Sequence, residues 1–113
     1  MKGTMMVLST GADEKVLREF DRAPTLDELK AAIGGGWIES VPYFNQIEWQ
    51  GKWRKCWAIC DEEGKLKHFD VNPRDTLLWG KVLSEKHGLT TMGDFLVGPV
   101  AVLFGDDEFM ATL

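Results

Sequence analysis

Residues 61–79 read DEEGKLKHFDVNPRDTLLW, and this stretch holds three kinds of local signal in succession. Glu62-Glu63-Gly64 is a charged turn, with a glycine suited to a hairpin. Lys65–Phe69 follows as a short basic strand. Asn72-Pro73-Arg74-Asp75 then starts a helix. Asn72 is a good N-cap, Pro73 fits the first helical position because its missing N–H costs nothing there, and Asp75 meets the positive end of the helix dipole. Leu78, Trp79, Val82 and Leu83 supply an apolar stripe, and Lys86, His87 and Gly88 supply a helix end. Strand, turn, strand and helix so close together point to an α+β chain.

Working outward, 52–60 is expected as one strand running into that turn, and 45–51 as a loop. Residues 37–44 read as a strand whose Pro42 suits an edge or an end. Thr25-Leu26-Asp27-Glu28 is a capping box, followed by Leu26, Leu29 and Ile33 at helical spacing. Gly34-Gly35-Gly36 ends this helix. Residues 4–9 and 14–20 form an N-terminal hairpin around Gly11. Residues 100–104 (VAVLF) read as a buried strand starting after Pro99. Residues 105–108 close that strand, and 109–113 are a tail. The expected order is ββαβββαβ, a β-grasp-like order. The expectation is an α+β fold in which one to two helices pack on a face of a mixed β-sheet.

The segments Gly34-Gly35-Gly36-Trp37-Ile38-Glu39, Asp61–Trp79 and Leu96-Val97-Gly98-Pro99-Val100-Ala101-Val102 resemble a family of small phage and plasmid proteins, domain of unknown function 3846. That family has no established activity. The resemblance implies a protein of a phage or other mobile element.

A chain of 113 residues is expected to be a single domain, 1–113, with enough length for one core. It is 44% hydrophobic and 27% charged, which is ordinary globular composition. No apolar run is long enough to span a bilayer, and Met1-Lys2-Gly3-Thr4 does not begin a signal peptide. A cytoplasmic location, in the host cell if the protein is phage-encoded, and no membrane partner are therefore expected. A net charge of −5 argues against a generic nucleic-acid binder, which needs clustered cations.

No catalytic residue is assigned, and an enzyme is the less favoured reading. Cys56, Cys60, His68 and His87 are the soft ligands, but strand residues four apart are about 13 Å apart. Neither a metal site nor a cofactor is expected. Cys60 and His68 flank the 61–64 turn without a nucleophile signature around them. The acidic groups at 61–63 and 106–108 sit at turns, where charge runs are normally solvated. Gly34-Gly35-Gly36 follows a helix and lacks the lysine and hydroxyl of a phosphate loop.

The stretch WQGKWRKCWAIC, 49–60, is the most unusual by composition. Read as one strand, it places Trp49, Trp53 and Trp57 on one face with Lys55. Tryptophan beside Arg and Lys is the composition of interface anchors, and it also suits stacking on single-stranded bases. Packing of the same rings into the core is the competing reading. Arg74 is not required by capping and is unfavourably placed at a helix N-terminus. The candidate binding residues are Trp49, Trp53, Arg54, Lys55, Trp57 and Arg74. The favoured function is a non-catalytic accessory protein that binds a host or phage protein, with a homodimer also considered. A single-stranded nucleic-acid module using the Trp/Lys/Arg-rich strand ranks second. A small enzyme with a site near His68 and Arg74 ranks third.

Overall fold

A computed structural model describes residues 1–10, 15–67 and 69–113. The expected turn at Gly11, the strand start at Glu14 and His68 lie outside the described residues. The chain order is β1 (Gly3–Leu8), β2 (Lys15–Phe20), α1 (Leu26–Ala32), β3 (Ile38–Ser40), β4 (Gln46–Trp49), β5 (Lys52–Lys55), β6 (Trp57–Asp61), α2 (Pro73–Val82), a π turn (Leu83–His87), β7 (Val100–Gly105) and α3 (Asp107–Met110). The α+β class is as expected. Five strands form one sheet in the order β2-β1-β7-β6-β3, and β4 and β5 form a separate hairpin. Every pairing between named strands is antiparallel, so the directions are not mixed among the described residues.

The central strand β7 explains its own composition. Val100, Ala101, Val102 and Leu103 are each fully buried, because both faces of the sheet are covered. On one face Met5, Ile59, Ala101 and Leu103 pack with Leu29, Ile33 and Phe109 of the α1 and α3 regions. On the other Met6, Leu8, Ala58, Val100, Val102 and Phe104 pack with Trp79, Val82 and Leu83 of α2 and the π turn. The helices therefore lie on both faces rather than one.

Both expected helix starts are present. Thr25 Oγ1 accepts from Glu28 N, and Glu28 Oε1 accepts from Thr25 N. Arg22 pairs with Glu28 at 2.7 Å, and with the cap bonds this holds the Glu28 carboxyl down at about 2. Asn72 is fully buried. Its Nδ2 donates to Leu8 O at 3.1 Å, Gly98 O at 3.0 Å and Asp75 Oδ2 at 2.8 Å, while its Oδ1 accepts from Asp75 N. One side chain thus starts α2 and ties it to the end of β1 and the approach to β7.

Three local expectations are corrected. Residues 65–67 are not a strand. Asp61 accepts from Glu63 N at 2.8 Å and from Lys67 Nζ at 2.7 Å, and Lys67 N donates to Glu63 O, so the chain coils there. Residues 45–51 are not a plain loop but carry β4 and a two-residue turn. Asp106 begins α3 by accepting from Phe109 N at 2.8 Å, where a turn and tail were expected. Phe109 is completely buried against the sheet.

Candidate interaction surface

The Trp-rich stretch folds as a hairpin and a separate strand. Gln50 and Gly51 have φ of 50° and 79°, the two left-handed positions that a tight type I′ connection requires. Pairing of Trp49 with Lys52 through Gln46 with Lys55 follows from that turn. Residues directly opposite share a face, so Ile47, Trp49, Lys52 and Arg54 lie on one side of the hairpin. Glu48, Trp53 and Lys55 lie on the other.

The base of the hairpin is held by its surroundings. Trp79 Nε1 donates to Pro42 O at 2.8 Å, and Cys56 N donates to Asn45 O at 3.0 Å. A ring nitrogen of His87 lies 3.0 Å from Asn45 Oδ1, and the His87 ring lies 5.2 Å from that of Tyr43. Each of these partners sits on α2, the π turn or the approach to β6, so the hairpin leaves the body from a fixed point.

The tryptophans do not form one stripe, because the turn at Gln50-Gly51 interrupts the strand that the expectation required. Trp49 is half-buried, its ring 5.3 Å from Phe104 of β7, with Lys15 Nζ 4.9 Å over it. Trp53 is half-buried on the opposite side of the hairpin, with Lys86 Nζ 4.5 Å and Lys81 Nζ 5.7 Å from its ring. Lys81 also pairs with Glu48 at 3.5 Å. Trp57 is on β6, packs on the α1 side of the main sheet and donates from Nε1 to Ser40 Oγ at 2.8 Å. Arg54 and Lys55 are exposed on the hairpin. Arg74 is half-buried in the first turn of α2, at the end of β1 marked by Leu8, whereas Trp49 lies against Phe104, which pairs with Thr4 near the start of β1. Trp49, Trp53, Arg54 and Lys55 therefore all lie on the hairpin, Trp49 and Arg54 on one side and Trp53 and Lys55 on the other. Trp57 and Arg74 do not join them.

Three cations of this surface were not found by reading the sequence. Lys15 comes from β2, Lys81 from α2 and Lys86 from the π turn. Together with Lys52, Arg54 and Lys55 they gather positive charge around two aromatic rings in a chain of net charge −5. A cation over a ring face is favourable by about 0.5–1 kcal/mol at exposed sites. It also covers that face.

The thiols offer little chemistry. Burial pushes Cys56 up to about 12 and Cys60 up to about 11, so both stay protonated near neutrality. A cleft of about 210 Å³ beside Cys60 is lined by Glu39, Asp61, Glu62 and Asp94, with Lys65 paired to Asp94. Among the described residues no group of His, Cys, Asp and Glu could hold a metal ion, and no helix is long and apolar enough to cross a membrane. Comparison of the chain with family models, curated proteins and solved structures finds no match.

Proposed function

We propose that this chain is a non-catalytic, cytoplasmic accessory protein of a phage or other mobile element, and that it works by docking another protein on the β4–β5 hairpin. One observation carries the reading. The hairpin carries half-buried Trp49 on one side and half-buried Trp53 on the other, with six cations distributed around the two rings, on a chain of net charge −5. Tryptophan and arginine are the residues most enriched at binding hot spots, and the surrounding charge selects and steers a partner of opposite sign. The partner surface is therefore acidic, with an apolar contact for the ring on the side of the hairpin that it meets. The mobile-element origin rests on the family resemblance of the 34–39, 61–79 and 96–102 segments. Single-stranded nucleic acid is the weaker reading, because lysines already lie over the ring faces on which bases would stack.

The test compares wild type with Lys52→Glu/Arg54→Glu, two exposed positions whose reversal leaves the core alone. Both proteins are used to capture partners from a nuclease-treated host extract, and both are titrated with a labelled single-stranded oligonucleotide. A protein retained by wild type and lost by the variant, with equal melting temperatures, supports the proposal. Identical capture by the two proteins contradicts it, and so does a salt-dependent oligonucleotide complex as the sole interaction lost.

A further inference from the structure

The main sheet ends at β2 on one side and β3 on the other. β3 has three residues and is followed closely by Pro42, which blunts it as a pairing edge. β2 is different. It has six residues, contains no proline and pairs with β1 in unbroken register from Lys15–Leu8 to Phe20–Gly3. Among the described residues no backbone group of 15–20 bonds to backbone outside the sheet. Val16 is 61% exposed and Leu17 45%. An unpaired six-residue edge with exposed apolar side chains is a template for another strand.

We propose that the occupant of this edge is a second copy of the same chain. β2 pairs with β2 of the other copy, antiparallel about a two-fold axis through Leu17, and joins two five-stranded sheets into one. The charge pattern singles out this arrangement. About Leu17, Lys15 falls opposite Glu19 of the other copy and Glu19 opposite its Lys15, Leu17 meets Leu17, and Val16 meets the aliphatic stem of Arg18. An isologous contact must satisfy such reciprocal pairs at once. An axis through Arg18 would set Arg18 against Arg18, which is repulsive. An axis between the two residues would set Lys15 against Phe20 and lose both ion pairs.

The charges are already placed for the contact. Lys15, Leu17 and Glu19 alternate onto one face of β2. Glu19 accepts from Thr4 Oγ1 at 3.1 and 3.2 Å, and Lys15 stands over Trp49, so both side chains are ordered before association. The lysine can lean from the ring to the carboxylate of the other copy without a change in backbone. An edge of six residues is far smaller than a standard stable interface, so the association is weak and depends on concentration.

Sedimentation of the full chain from roughly 10 µM to 1 mM tests this. Wild type is expected to shift from monomer to dimer across that range. Lys15→Glu and Glu19→Lys should each weaken the dimer about tenfold, because symmetry turns two attractions into two repulsions. The combined Lys15→Glu/Glu19→Lys chain should recover it. Leu17→Lys, at an exposed position, should weaken it by placing like charges on the axis. Circular dichroism confirms that each variant is folded. A wild-type chain that stays monomeric to the highest concentration overturns the proposal. Single variants that dimerise like wild type, or a charge swap that fails to restore association, overturn it equally. Glu19→Lys and Leu17→Lys leave all six cations around the hairpin in place, so these two arms separate failure of the dimer from failure of partner capture.

Discussion

Asn72 and Asp75 start α2, and they also bury a carboxyl group with one oxygen unpartnered. Asp75 is fully buried, its Oδ2 accepts from Asn72, and its Oδ1 has no hydrogen-bond partner. Burial raises its carboxyl from 3.8 to about 7, against the opposing pull of neighbouring Arg74 and the Asn72 bond. Between those values the folded state holds a proton that the unfolded chain has released. The stabilisation is complete below about pH 4 and is lost as pH rises through about 7, with a slope of up to about 1.4 kcal/mol per pH unit. The carboxyls of Glu28, Asp61, Asp94 and Asp106 are lowered instead, so they finish titrating below this window. The urea midpoint of wild type should therefore fall from pH 5 to pH 8 more than that of Asp75→Asn, whose amide oxygen can still accept from Asn72. Equal slopes for the two proteins would contradict this account of Asp75. Burial acts in the same direction on Cys56 and Cys60, whose raised values keep the reactive thiolate scarce. Iodoacetamide at pH 8 should label both thiols much more slowly in the folded chain than in urea, as read by mass spectrometry. Labelling of the folded chain at the unfolded rate would contradict the buried-thiol description.

Elements whose cause is local were legible in the sequence. Thr25 and Glu28 define the start of α1 by reciprocal hydrogen bonds only three residues apart. Thr25→Ala should cost about 1 kcal/mol, measured as a lower urea midpoint. The start of α2 at Asn72-Pro73 and the end of the following π turn at Gly88, where φ is 65°, follow from equally local chemistry. The 45–55 hairpin was not legible, because Gln50 is not a usual residue for a left-handed turn position and 49–60 alternates well enough to pass for one strand. Gln50→Asn should stabilise the protein by a few tenths of a kcal/mol, while Gly51→Ala, strained at φ 79°, should destabilise it by about 1 kcal/mol; thermal melts of the two variants check both signs. α3 escaped because four residues are too few to show a period. The coil at 61–67 escaped because it depends on the side-chain bonds of Asp61.

At the scale of the whole molecule, the centre of the sheet is covered on both faces, and that cover decides which surfaces remain for function. α1 and α3 cover one face, while α2, the π turn and the hairpin cover the other. Part of the candidate site was readable, since Trp49, Trp53, Arg54 and Lys55 do share the hairpin. The rest depended on tertiary structure. Lys15, Lys81 and Lys86 reach the tryptophans from three separate elements, and Trp57 leaves them because β6 turns it to the other face. The half-buried state of Trp49 and Trp53 means that each serves packing as well as display, so truncating both costs stability of order 2–4 kcal/mol, below the cost of two fully buried rings. The most direct test of the docking surface is partner capture by Trp49→Ala/Trp53→Ala, scaled to the folded fraction found from its urea curve. The account predicts that capture per folded molecule falls at least about tenfold below wild type, as expected when aromatic anchors are lost. Capture per folded molecule equal to wild type would mean that the two tryptophans serve only the core.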